Sequence, residues 1–362
     1  MSPITTHDFQ SEQPLHPAAQ DLLLSFFNQG WPDPSKIHHQ SAKLRNLLGS
    51  AREVIAANLG IKNTELEIVG ELGFAFDLGI AGLLNPLTNS DTQESTSLFA
   101  YSGIDRQIVH AFARKHKSNG GEIHELKVNS DGLVQYSTPN ECAVLSWQST
   151  NRETGVIQQD PSKANCQAIF ADMTASFPLS KLPERWDSAV WDPRFFGGPQ
   201  GIAFLGISQN SKWQKPGPDL DQRRVYGSFS KPLLLASAVA LENWVQNAKV
   251  DYERIKILNS FARQVLKKEL REALIAGEAT SSDPRFLAFC LPNAIAEEVL
   301  RKLEVMGFLV DAGSACSSGP LSPSHVLTAM GFPEQGIFRL TFRADQKEGT
   351  IVDLVKGIAA SA

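Results

Sequence analysis

Apolar residues recur along this chain at two spacings. Over residues 41–59, Leu44, Leu47, Leu48, Val54 and Ile55 keep the three-to-four-residue beat of one helix face, and Gly60 stands as a stop. Residues 21–27 read as a shorter helix ending near Gly30, with a proline-rich loop over 31–35. Short apolar runs of strand type lie at 65–69, 97–101, 142–147, 168–171 and 286–291. Between them the pattern predicts helices over 72–84, 232–248 and 252–276, the last stopped by Gly277. A further helix is expected from Asn293, as N-cap, to Met306. The apolar run at 308–310 is strand-like, a helix start is expected after Ser322, and 339–343 reads as the last strand. Helices and strands that alternate in this way define an α/β protein.

At 362 residues the chain is too long for one compact core, so two domains are expected. A net charge of −5 gives no basic footprint for nucleic acid or for an anionic membrane surface. The first 17 residues lack the basic and apolar regions of a signal peptide, and no apolar run is long enough to span a bilayer. Cys142, Cys166, Cys290 and Cys316 lie far apart and form no CxxC pair. That spacing argues against a zinc site and against a disulfide framework. A cytoplasmic protein with free thiols is expected, and no metal site.

The most distinctive chemistry lies where the run at 308–310 gives way to small residues, AGSACSSGP over 312–320. Small neighbours leave Cys316 little covered, which suits a nucleophile, although a small residue in a tight turn reads the same way. The run continues as LSPSHVLTAMG to Gly331. The whole stretch resembles the active-cysteine segment of the cysteine desulfurases, a branch of the class V aminotransferases. Those enzymes use pyridoxal phosphate (PLP) to remove sulfur from cysteine. The likeness can be followed, with gaps, from about Pro14 onward.

The resemblance implies a PLP fold-type I architecture. That is a large domain with a mostly parallel sheet flanked by helices, a smaller C-terminal α/β domain, and a homodimer with sites at the interface. It divides the chain into an N-terminal arm (1–20), a large domain (21–235) and a small domain (236–362). Several family positions are kept. Asp172 falls where the family pairs a carboxylate with the pyridine nitrogen, although a strand-end carboxylate can equally be a cap. Asn151 opens the run that resembles Asn-Asn-Glu-Thr-Gly-Val, and Ser228 keeps a hydroxyl at a phosphate-reaching position given by the second subunit. Arg339 falls where an arginine forks onto the substrate carboxylate; a surface salt bridge is the competing reading.

Other positions are lost. The frame Phe196-Gly197-Gly198-Pro199-Gln200-Gly201 fixes the register of the Schiff-base segment. It sets Phe195 at the lysine, Arg194 at the histidine before it and Asp192 at a phosphate-binding serine. Glu71 lies in the turn where a threonine hydroxyl should clasp phosphate; at a helix N-terminus a glutamate is itself stabilising. Asp105 replaces the histidine that stacks on the cofactor ring. Arg152 replaces the second asparagine, and pairing with Glu153 is its simpler reading. Phe74, Phe195 and Phe196 are expected to fill the hollow with phenyl rings. Lys231, near the site in sequence, sits at the wrong backbone position to replace the missing amine.

Two functional classes follow from the resemblance. In the first, the chain has lost covalent PLP catalysis and serves as a scaffold, as a partner of an active paralogue, or as a sulfur acceptor through Cys316. In that last role the thiol needs nearby positive charge, with Arg194 and Arg339 as candidates. In the alternative, the chain is an active PLP-dependent desulfurase or related lyase without a lysine anchor.

Overall fold

A computed structural model describes residues 7–10, 13–88, 97–138, 140–176, 181–217, 224–225, 228–278, 281–313 and 323–362. The chain opens with helices α1 (Pro17–Gln29) and α2 (His39–Leu59), strand β1 (Leu66–Val69) and helix α3 (Leu72–Thr88). Next come β2 (Phe99–Ser102), α4 (Gln107–Ser118), β3 (Ile123–Leu126), β4 (Cys142–Gln148), β5 (Cys166–Asp172), β6 (Ser188–Trp191) and β7 (Ala203–Ile207). Helix α5 (Lys231–Glu269) leads to β8 (Leu274–Ile275), β9 (Phe286–Cys290), α6 (Ala296–Val305) and β10 (Asp311–Ala312). The chain closes with α7 (His325–Ala329), β11 (Ile337–Thr341) and α8 (Glu348–Ser361).

The first sheet has seven strands in the order β1-β7-β6-β5-β4-β2-β3. The pairings from β6 through β5, β4 and β2 to β3 are parallel, and β7 runs antiparallel to both β6 and β1. Every residue of β4 is buried, as a strand covered on both faces requires. The two faces can be read from β5. Ile169 and Ala171 join the core under α1, α2 and the first half of α5, while Phe170 joins the core under α3 and α4. Helix α3 comes close to the sheet because Gly79 has no side chain; a Cβ there would stand 2.8 Å from the Phe170 ring. The Gly79 carbonyl also accepts the Ser188 hydroxyl at 3.0 Å.

The second sheet is antiparallel, in the order β10-β11-β9-β8. It buries its apolar face against the second half of α5, α6 and α8, through Leu258, Leu266, Leu303 and Ile351 among others. The expected fold class is therefore the one found: a mostly parallel sheet flanked by helices, followed by a smaller α/β unit.

Two local expectations fail for clear reasons. The helices expected over 232–248 and 252–276 are one helix, α5, of 39 residues and about 58 Å. It ends at Glu269, not at Gly277, because Leu274 and Ile275 pair with β9 as a strand. Asn293 does not cap α6. Its side-chain amide reaches Glu272 at 3.5 Å, and Ile295 holds the cap position.

Among the described residues no helix is long and apolar enough to cross a membrane. Gly79→Val should overpack the α3–sheet contact and lower stability by about 1–3 kcal/mol, read as a fall in the urea midpoint with unchanged slope.

Candidate functional site

Ligand sites in sheets of this kind form outside the carboxyl ends of the parallel strands. Here the loops leaving β2, β4, β5 and β6 converge and carry Asp105 and Arg106, Asn151 to Glu153, Asp172 to Thr174, and Asp192 to Phe196.

Asp172 lies at the end of β5 and is buried. Its Oδ1 accepts the Thr174 backbone N–H at 2.9 Å and the Thr174 hydroxyl at 2.6 Å. Its Oδ2 lies 3.5 Å from the Gln148 side-chain amide. The Thr174 hydroxyl oxygen in turn accepts from Arg106 Nη1 at 2.6 Å. Arg106 lays its guanidinium over the Phe76 ring, 5.7 Å from the centroid. A chain of bonds thus runs from the β2 loop through the β5 loop into the carboxylate.

Asp105 is also buried, and its Oδ2 accepts the Ser102 N–H at 2.9 Å. Burial pushes its carboxyl up to about 7, with the neighbouring Asp172 charge adding to the effect, while the serine bonds oppose it. The Asp105 carbonyl meets His325 Nε2 at 2.8 Å, which ties the β2 loop to α7.

Asn151 is held by its own loop. Its amide donates to the Ile104 carbonyl at 3.1 Å and to Gln148 Oε1 at 2.9 Å. Its oxygen accepts from the Glu153 N–H, the Thr154 N–H and the Thr154 hydroxyl. The simple pairing of Arg152 with Glu153 is not the main feature here. Glu153 Oε1 lies 3.3 Å from Arg339 Nη1, and its Oε2 accepts the Ser324 hydroxyl at 2.6 Å. Arg152 places its guanidinium over the Phe195 ring, 5.8 Å from the centroid. Burial first, then the positive charges of Arg106 and Arg339, bring its pKa down to about 10. A desolvated cation over a ring is worth about 2 kcal/mol.

Phe195 lies in a 3₁₀ turn over Pro193–Phe196, capped by Asp192, which accepts the Arg194 backbone N–H at 3.1 Å. The Arg194 guanidinium folds back onto the same carboxylate at 2.8–3.1 Å. The Phe195 ring meets Phe286 of β9 at 6.2 Å. Burying such a ring contributes about 1.5–3 kcal/mol. The expected cluster of three phenyl rings does not form. Phe196 stacks on Phe204 in the core under α5, and Phe74 packs into the core under α3. Arginines and bonded carboxylates, not a set of rings, occupy the convergence of the loops.

The remaining sequence candidates fall as follows. Glu71 Oε2 accepts the Phe74 N–H at 2.8 Å, so the carboxylate sits on the first turn of α3, where dipole and free N–H groups favour an anion. Ser228 is exposed, and its carbonyl would lie 3.1 Å from a Cβ at Gly70 of the same chain. The Lys231 charge acts on Asp33, in the loop after α1. Arg339 is buried, which removes the surface salt-bridge reading. Cys316 lies outside the described residues. No group of three metal-ligating side chains occurs among the described residues. The Thr174 link, Gln148 and Ser324 were not legible beforehand; Thr174 alone had a signal, two residues after Asp172.

No family model matches the chain. In sequence it is similar to the cysteine desulfurase IscS of Dictyoglomus turgidum, 24% identical over 90% of this chain and 85% of that one. A putative cysteine desulfurase, IscS 1, of Bacillus subtilis is also 24% identical, over 97% and 96%. Among solved structures, a NifS-like protein superposes with a TM-score of 0.85 at 19% identity, covering 98% of each chain. An apo cysteine desulfurase from Thermococcus onnurineus NA1 gives 0.80 at 14% identity, over 97% and 94%. The architecture is thus that of the PLP fold-type I enzymes. Over most of its length the chain is similar in sequence to cysteine desulfurases, at 24% identity.

Asp105 generates a prediction for stability against pH. Its folded pKa stands above the ordinary carboxylate value of 3.8. Between about pH 4 and pH 7 the folded state therefore holds a proton that the unfolded chain has released, and stability falls as pH rises through that window. Asp105→Asn, which keeps the acceptor for Ser102, should be more stable relative to the parent at pH 8 than at pH 5, by at most about 3 kcal/mol. Denaturant unfolding at the two pH values measures the difference.

Proposed function

We propose that this chain keeps the desulfurase fold and has given up covalent PLP catalysis. It acts as a dimeric scaffold, as the partner of an active paralogue, or as a sulfur acceptor through Cys316. The observation that carries the reading is the Phe195 position. A phenyl ring has no amine to form an imine and no base to move the proton at a substrate Cα. The surrounding residues support it, because they do not fit the cofactor. Asp172 is bonded to Thr174 and Gln148, and Asn151 has its oxygen and both amide protons engaged. Glu71 already supplies the negative charge that the first turn of α3 favours, so a phosphate there would meet a like charge. A carboxylate replaces the stacking imidazole at Asp105, and Arg152 covers the ring of Phe195.

Homodimer formation and a sulfur-handling partner are part of this proposal and rest on the likeness to desulfurases. Borohydride reduction of the purified chain with added PLP tests the central part. No lysine, Lys231 included, should carry a phosphopyridoxyl group by peptide mass, and cysteine should yield neither sulfide nor alanine. An adduct on any lysine, or PLP-dependent sulfide release, would overturn the reading. Incubation with an active desulfurase and cysteine separates the roles: a persulfide on Cys316 supports the acceptor, and its absence leaves the scaffold.

A further inference from the structure

Two of the four cysteines, distant in sequence, meet in the first sheet. Cys142 opens β4, Cys166 opens β5, and the parallel register sets them directly opposite each other. Neighbouring strands stand about 4.8 Å apart. Disulfides span Cα separations of about 4.4–6.8 Å, so this spacing suits one. Both side chains belong to the same core, on one face of the sheet. Each thiol is the strongest influence on the titration of the other.

A cation completes the group. Arg185 donates through Nη2 to the Cys166 sulfur at 3.0 Å and through Nη1 to the Cys166 carbonyl at 2.9 Å. The second bond fixes the guanidinium where it can hold negative charge on the sulfur. The neighbouring Cys142 thiol, aided by Arg185, draws the Cys166 thiol below its ordinary pKa against the effect of burial. The Cys166 thiol, together with burial, pushes Cys142 up. One thiol is thus set as nucleophile and the other as its proton-bearing partner. Cys290 is the contrast within the same chain. It is buried, donates to the Gln335 carbonyl at 3.1 Å, and is pushed up by burial alone.

Cys142 and Cys166 are themselves buried, and Arg185, whose Nη2 meets the Cys166 sulfur, reaches from them to the surface. Arg185, Gln167, Glu184 and Trp186 line a surface cavity of about 680 Å³, and Gln167 is the residue next to Cys166.

We propose that Cys142 and Cys166 form a covalent-modification site that exchanges with low-molecular-weight disulfides, Cys166 attacking and Cys142 resolving. In the first step the Cys166 thiolate attacks one sulfur of RSSR. A Cys166–S–S–R bond forms, the RSSR bond breaks, and RS⁻ leaves. In the second step Cys142 gives its proton to the departing thiolate, and its own thiolate attacks the Cys166 sulfur and expels the second RS⁻. Two protein thiols are oxidised to one disulfide, and one RSSR is reduced to two RSH. Oxidation also takes from Arg185 the thiol it faces at the amino ends of β4 and β5.

This inference does not rest on the proposed loss of PLP chemistry. Its test uses the full chain carrying Cys316→Ser, so that the thiol on which the acceptor role depends cannot contribute. The folded protein is incubated in mixtures of reduced and oxidised glutathione, trapped with N-ethylmaleimide, denatured and mapped by peptide mass. The expected product is a peptide pair joined through Cys142 and Cys166, forming at least about tenfold faster than any modification of Cys290. Adding Cys142→Ser should stop the reaction at a glutathione adduct on Cys166, and adding Cys166→Ser should leave Cys142 unmodified. Arg185→Gln should move the pH midpoint for Cys166 modification upward, with Arg185→Lys bringing it back part of the way. Full alkylation of both cysteines after oxidation would overturn the proposal, as would modification of Cys142 in the Cys166→Ser chain. The measurement on the Cys316→Ser chain leaves both cysteines of the pair in place.

Discussion

A carboxylate buried at the end of a strand must find donors, because an uncompensated buried charge costs several kcal/mol. At Asp172 those donors are the Thr174 backbone and hydroxyl, backed by Gln148. The bond that follows, Arg106 to Thr174, ties the loop after β2 to the loop after β5. Arg106 in turn disfavours charge on Arg152, which leans over Phe195 instead. Asp105, pressed beside Asp172, keeps its proton to higher pH. The site is thus arranged by one buried charge and the guanidinium groups that surround it. Glu71, Asp192 and Glu153 bring further negative charge, each bonded to a partner within the chain.

Much of the fold was legible because parallel strands buried on both faces leave short unbroken apolar runs. The runs around β4, β5 and β9 were found within a few residues of their limits. Helix α5 was misread as two because its middle crosses from one core to the other. There Lys249 and Val250 face solvent, and the apolar beat lapses although the backbone bonds continue. The strand at β8 was missed because two residues carry no periodicity; only its partner β9 makes it a strand.

For the site, the frame around Gly197, Gly198 and Pro199 picked out Phe195, while the side chains that surround it come from loops far away in sequence. Phenyl rings were the natural expectation from Phe74, Phe195 and Phe196. The sheet geometry instead sends each ring to a different core and brings arginines from separate loops together. The same limit hid the pairing of Cys142 with Cys166. Their separation along the chain argued for isolated thiols, and only the register of β4 against β5 makes them neighbours.

The central claim is that the chain's own side chains have taken over the bonds a pyridine ring and its phosphate would need. Crystals of the protein soaked in excess PLP test this most directly. The account predicts unchanged density around Asp172, with Thr174 still on its carboxylate and Glu71 still on the first turn of α3. A pyridine ring bonded to Asp172, with its phosphate at that helix start and Glu71 displaced, would contradict it.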